Sequence, residues 1–227
     1  MMLIVRLYPK KDIASVWKAL EKNVDLLETK NYTALYATQL SGNNYVSVIF
    51  ELKDLGNIED FYMKVMEKVP GVRKTETLTL MKTEYFLIPK SRPEKLSRFQ
   101  IHLNCEPEYY AQVYEKMREF KLPSDIFKTF ISFSFGQDDI ILSVLSNSAD
   151  SVLQLVEEKM AKVPGVSTIK FTHVVKCLRL VNNQKWKEHK IRYLGPGQIM
   201  KGMEVDDEST IEDFASLTGC FVHELKQ

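Results

Sequence analysis

No stretch of this 227-residue chain is apolar for long enough to cross a bilayer as a helix; the longest apolar runs, Tyr45 to Phe50 and Ile140 to Leu145, are short and β-type in composition. The opening Met-Met-Leu-Ile-Val-Arg carries no basic leader and no small-residue cleavage site, so a cytoplasmic protein without membrane contact is expected. Cysteine is scarce: Cys105, Cys177 and Cys220 lie too far apart for a CxxC motif or a disulfide framework, and read as small, partly buried hydrophobes. An excess of one charge is also missing, because 31 basic residues face 30 acidic ones, and direct DNA binding draws no support from such a balance. The 4 histidines, His102, His173, His189 and His223, have no HxH, HExxH or HxxxH spacing, so no metal site is expected. Gly195-x-Gly197 lacks the third glycine of a dinucleotide loop, no nucleophile motif is present, and the expectation is a protein with no catalytic residues and no cofactor.

What the chain does have is an internal echo. Met66-Glu67-Lys68-Val69-Pro70-Gly71-Val72 returns as Met160-Ala161-Lys162-Val163-Pro164-Gly165-Val166, six identities in seven at an offset of 94. The flanks match in pattern too. A strand at Met2 to Tyr8 is followed by helical spacing at Ile13, Val16, Trp17, Leu20, Val24 and Leu27. Strands at Tyr32 to Leu40 and Tyr45 to Leu52 flank the turn Ser41-Gly42-Asn43-Asn44. Asn57 can cap a helix with Ile58, Phe61, Tyr62, Val65, Met66 and Val69 on one face, and a strand from Lys74 to Leu87 follows Pro70-Gly71. The second unit gives a strand at Arg98 to Leu103, a helix opened by Pro107, strands at Ile126 to Phe135 and Ile140 to Ser146, a helix capped by Ser148, and a strand to Leu180.

Both units read βαββαβ, so the expected domains are 1–89, 98–180 and a C-terminal extension 181–227, with Pro89 to Ser97 as a short polar connector. Each sheet covers one face with its own two helices and needs a partner for the other. The neighbouring unit supplies it. The expected fold class is α+β: two ferredoxin-like units closing an intramolecular barrel-like pseudo-dimer, plus the appendage.

The segments Ser41-Gly42-Asn43-Asn44-Tyr45-Val46-Ser47-Val48-Ile49-Phe50 and Val69-Pro70-Gly71-Val72-Arg73-Lys74-Thr75-Glu76-Thr77-Leu78 resemble the effector-binding half of Lrp/AsnC transcription regulators. That family has an acidic hairpin turn, a Pro-Gly-Val helix end and a Thr-x-Thr strand. The resemblance implies a dimeric α+β barrel that binds an amino acid or a similar small polar ligand, forms homo-oligomers and works with transcription regulators. It names Gly42, Asn43, Asn44, Tyr45, Thr75 and Thr77 as ligand-binding candidates. Turn amides and Asn side chains can hold a carboxylate, and alternate strand hydroxyls share a face; a polar row of good strand formers is the plainer reading of the threonines. Asn43 and Asn44 stand where the family turn is acidic, and the offset sends Thr75 and Thr77 to Ile169 and Phe171 in the second unit. The chain starts directly with the effector-like unit, so it resembles a stand-alone version without the helix-turn-helix.

Four further features have plain readings. Asp138 and Asp139 read as turn formers in a hairpin, with a cation site as the alternative. His102, alternating with Ile101 and Leu103, reads as a hydrogen-bonded structural residue. Lys185 to Arg192 reads as a solvated connecting segment, and its alternative is a grip on phosphate or an acidic partner. Ser209 to Gln227 reads as a capped docking helix rather than a DNA reader, since it holds three acids against one lysine. The function expected is therefore non-enzymatic small-molecule sensing in transcription regulation. A ligand-free interaction module, or a DNA-binding regulator acting through the C-terminal helix, remains the alternative.

Overall fold

The structure, a computed structural model, describes residues 1–23, 27–88, 93, 95–194 and 221–222, with backbone alone at 55, 65–68 and 221–222. The chain runs β1 (Met2–Pro9), α1 (Ile13–Lys22), β2 (Tyr32–Leu40), β3 (Val46–Leu52), α2 (Ile58–Lys68) and β4 (Val72–Tyr85). The same order follows as β5 (Ser97–Cys105), α3 (Tyr110–Glu119), β6 (Ile126–Phe135), β7 (Ile140–Ser146), α4 (Ala149–Glu158) and β8 (Val166–Arg179). Helix α5 (Asn183–Arg192) and a two-residue strand β9 (Phe221–Val222) come last among the described residues. Side-chain caps start three helices: Asp12 accepts from Ser15 N, Ser148 from Ser151 N and Asn182 from Lys185 N, each satisfying an N–H that the first turn leaves open. Most of the connector, the Gly195-Pro196-Gly197 turn, the acidic stretch and most of the expected tail helix lie outside the described residues.

Hydrogen-bonded neighbours run β2-β3-β1-β4-β6-β7-β5-β8, and β8 pairs back onto β2, so eight antiparallel strands close into a barrel. The fold is α+β, built from two ferredoxin-like units. The 14-residue strands β4 and β8 make the two seams. β4 pairs with β1 up to Leu80 and with β6 from Thr79, while β8 pairs with β5 up to His173 and with β2 from Val174. Closure pairs the edges that each four-stranded sheet alone would expose. The chain of antiparallel pairings makes β1, β2 and β6 parallel to one another, so the β2–β3 and β6–β7 turns lie at the same end of the barrel.

Side chains alternate between two apolar environments. Leu3, Val5 and Leu7 pack with Val16, Trp17, Leu20 and Phe61 on the helix side of the first sheet. Ile101 and Leu103 pack with Val113, Met117, Val152 and Leu155 on that of the second. Met2, Ile4, Ile49, Leu78, Phe130, Ile141 and Val174 meet inside the barrel. Strands covered on both faces need no polar side, which is why β7 is buried at every position.

The Pro-Gly-Val echo has a backbone cause. Gly71 and Gly165 adopt φ of 94° and 87°, a region where a Cβ is strained, and each lets the chain leave a helical segment for the next strand. Their surroundings differ. A Cβ on Gly165 would fall 2.2 Å from Tyr109 Cβ, whereas one on Gly71 meets only Ser15 Oγ at 3.6 Å. Gly165→Ala is therefore expected to destabilise by about 3 kcal/mol, strain plus overlap, and Gly71→Ala by about 1 kcal/mol from strain alone. Urea midpoints of the two variants measure the difference, and equal losses would contradict it.

Candidate functional site

At the end of the barrel where both hairpin turns lie, the inward face changes from apolar to charged. On β1, Met2 and Ile4 are followed on the same face by Arg6 and Tyr8. The Arg6 side chain is only 6% exposed. Its Nη1 donates to Gln137 Oε1 at 2.8 Å and its Nη2 to Asp138 Oδ2 at 2.5 Å, so a cation on the first unit is held by the turn of the second. The guanidinium carbon lies 5.2 Å from the centre of the Tyr45 ring. The Tyr8 hydroxyl donates to Glu76 Oε2 at 2.5 Å, and Lys74 Nζ donates to Glu76 Oε1 at 2.6 Å. His102, inward on β5, places Nδ1 3.0 Å from Asp138 Oδ2 and Nε2 3.2 Å from Gln100 Oε1.

Burial alone would raise the Asp138 carboxyl, but His102 and Arg6 outweigh it and hold it at about 2. Lys74 and the Tyr8 hydroxyl lower Glu76. Burial, with Glu76 beside it, pushes Tyr8 up to about 12. Both carboxylates are therefore anionic at neutral pH, against the Arg6 guanidinium, the Lys74 ammonium and one imidazole.

The two units contribute unequally. Arg6 faces Ser47 and Glu76 in register, while at the corresponding place in the second unit His102 faces Ile141 and Lys170. Lys170 Nζ reaches across the seam to donate to Asn43 Oδ1 at 3.1 Å. The mouth thus carries both signs of charge close together.

Of the sequence candidates, Gly42, Asn43, Asn44 and Tyr45 belong to this mouth. Asn43 Nδ2 donates to the Tyr45 hydroxyl at 3.1 Å, and Tyr45 packs on Tyr8 with ring centres 5.2 Å apart. Thr75 and Thr77 lie elsewhere. They pair in register with Leu7 and Val5, whose side chains face the helices, and the Thr77 hydroxyl bonds to that of Tyr62 on α2. Arg6, Glu76 and Gln137 were not singled out from the sequence. The signal was available: a lone arginine within the otherwise apolar alternation of Met2 to Leu7. Asp138 forms its turn and also makes the central ion pair, and His102 is hydrogen-bonded on both ring nitrogens.

The opposite end is covered by α5, a correction to the reading of Lys185 to Arg192 as a solvated connector. Trp186 and His189 are 5% and 1% exposed, Trp186 against the Tyr36 and Tyr85 rings. Glu51 at the end of β3 gathers the helix: His189 Nδ1 lies 3.2 Å from Glu51 Oε2, Arg192 Nη2 donates to the same oxygen at 2.6 Å, and the Tyr193 hydroxyl donates to Oε1 at 3.1 Å. These partners overcome burial and hold the Glu51 carboxyl at about 2. Only one face of the helix is apolar, so its other positions, Lys187 and Glu188 among them, gave the charged composition that reads as loop. Among the described residues, no helix is long and apolar enough to cross a membrane and no group of three or more His, Cys, Asp or Glu is arranged to hold a metal.

No family model matches the chain, and no curated protein does. Solved structures do. A candidate monooxygenase from Lactobacillus acidophilus aligns over 79% of this chain and 93% of its own, at 10% identity and a TM-score of 0.45. An anthrone oxidase-like protein aligns over 80% and 94%, at 8% identity and a TM-score of 0.47. AsnC from E. coli aligns over 52% and 71%, at 13% identity and a TM-score of 0.30. The likeness is one of shape. It corrects the expectation of a chain that does no chemistry, because a candidate monooxygenase and an anthrone oxidase-like protein stand among the similar structures, and this fold does not by itself mark a chain as catalytically inert.

Proposed function

We propose that this chain is a small-molecule sensor with a regulatory role, a tandem of two Lrp/AsnC-like units at 1–89 and 98–180 with 181–227 as an extension, and that its ligand is of amino-acid type. The observation that carries the reading is the mouth itself. Arg6, Lys170 and Asn43 stand beside Glu76 and Asp138, which suits a zwitterion: its carboxylate meets the donors, and its ammonium meets the acids. Gly42 to Tyr45 form one wall, and Thr77 supports β4 from behind through Tyr62. Assembly into homo-oligomers and contact with a full-length transcription regulator complete the proposal.

A thermal-shift screen of the amino acids tests it. A ligand confined to the folded state adds about 2.7 kcal/mol at a hundredfold excess over its dissociation constant. Asn43→Ala and Lys170→Met are expected to remove most of the response, and Thr75→Val with Thr77→Val to keep it. A response lost only in the threonine variant would move the ligand to the helix side. A second reading rests on His102, whose Nδ1 is turned to a carboxylate while Nε2 faces an amide, an arrangement suited to proton transfer. Mass spectrometry of the ligand after incubation separates the two, since a sensor returns it unchanged.

A further inference from the structure

Phe86 and Leu180 stand at equivalent places in the two units: Phe86 N donates to Thr129 O at 3.1 Å, and Leu180 N donates to Leu35 O at 2.9 Å. The strand register agrees, since Ala34 pairs with Phe50 and Lys128 with Val144, each residue at the same offset of 94. What fills the two places differs. In the first unit Ala34 and Leu180 are 2% and 4% exposed and belong to the packed core. In the second unit Phe86 and Lys128 are only half-buried, and both border an open cleft of about 300 Å³ between the end of α3 and the start of β6. Its other walls include Phe120, Leu122, Ile126 and Phe127. This is the end of β6 away from the mouth.

Lys128 Nζ lies 5.0 Å from the centre of the Phe86 ring and donates to Met117 O at 2.7 Å and Arg118 O at 2.6 Å, carbonyls that the last turn of α3 leaves open. An ammonium has three N–H donors, so one is left over. Among the described residues no carboxylate pairs with Lys128, and the acid whose charge it feels, Glu84, is paired with Arg118 at 3.6 Å. Burial, helped by Arg118 and opposed by Glu84, brings the Lys128 ammonium down to about 8, which leaves it mostly charged at neutral pH. Arg118 also lines the cleft, but Glu84, Glu115 and Glu119 answer its charge, so one open cation stands among apolar walls. Phe120 borders a neighbouring surface that carries Lys116, Lys121 and Lys159 against Glu119, a rim that draws anions. We propose that this cleft binds a small monocarboxylate on an apolar chain or ring, with the Lys128 ammonium as its charge partner and Phe86, Phe120, Leu122 and Phe127 around its body. A single open cation suits a monoanion better than a phosphate dianion. The site shares no residue with the mouth.

Calorimetric titration of the full chain at fixed ionic strength tests this with hexanoate and benzoate, with acetate for the charge alone and 1-hexanol for the chain alone. Hexanoate or benzoate is expected to bind about tenfold more tightly than acetate and hexanol at pH 7, and Lys128→Met to weaken that binding about tenfold or more. Raising the pH from 7 to 9.5 is expected to weaken it about tenfold as well, since the amine loses its proton while the carboxylate keeps its charge. Leu122→Glu leaves Lys128 and its two carbonyl bonds in place and sets a like charge in the cleft, so it is expected to abolish binding and keeps the test open if Lys128→Met unfolds. Lys170→Met at the mouth keeps the binding. No saturable binding of hexanoate or benzoate to the wild type, or binding equally tight in Leu122→Glu or at pH 9.5, overturns the proposal.

Discussion

Asp138→Ala is expected to lower the unfolding free energy by about 3 to 5 kcal/mol, the loss found when one partner is removed from a buried ion pair. The reason is the fate of Arg6. Its guanidinium, 6% exposed, loses its charged acceptor at 2.5 Å and keeps Gln137 at 2.8 Å, a distant Glu76 at 4.0 Å and the Tyr45 ring. Hydration cannot replace the carboxylate at that depth. Arg6→Met combined with Asp138→Ala removes the orphaned charge and is expected to recover at least half of the loss, since a paired charge and an apolar pair of similar volume are close in energy. Urea unfolding of the single and double variants measures both. A loss below about 1 kcal/mol for Asp138→Ala would mean the pair is screened like a surface salt bridge, and the mouth would not be the rigid site described.

The second large effect is at the other end of the barrel and depends on pH. Glu51 has its folded pKa lowered from 4.5 to about 2, and Asp138 from 3.8 to about 2. For a depressed carboxyl the unfolded chain takes up the proton first as pH falls. The stabilisation is therefore complete above about pH 5, and it drains away as pH falls toward 2. Its size is on the order of 3 kcal/mol for Glu51 and 2 kcal/mol for Asp138. Glu51→Gln is expected to cost about 3 kcal/mol at pH 7 and to flatten the acid limb of the stability curve. It also frees α5, because His189, Arg192 and Tyr193 all bond to this one carboxylate. Trp186 fluorescence is then expected to report undocking before global unfolding, with no such early step expected of the wild type at neutral pH.

The elements were legible where one physical signal dominated. β2, β6 and β7 fall at Tyr32–Leu40, Ile126–Phe135 and Ile140–Ser146, as their β-branched and aromatic runs between turn residues indicate. Helix α5 was illegible for the opposite reason, since only Trp186 and His189 are buried in it and its docking rests on charges that look solvated in sequence. For the site, alternation tells that Thr75 and Thr77 share a face but not which face, because β4 has the helices on one side and the barrel interior on the other. Pairing with Leu7 and Val5 decides it. Arg6 and Asp138 are 132 residues apart, and only barrel closure brings them together.

We propose that a small zwitterion is held between the two hairpin turns. Amide hydrogen exchange, with and without the amino acid that gives the largest thermal shift, tests it most directly. The expected result is slower exchange at residues 41–45 and 136–139 together, one turn from each unit, with α2 unchanged. Protection confined to α2 and the Thr75 to Thr79 stretch, or no change at either turn, would contradict it.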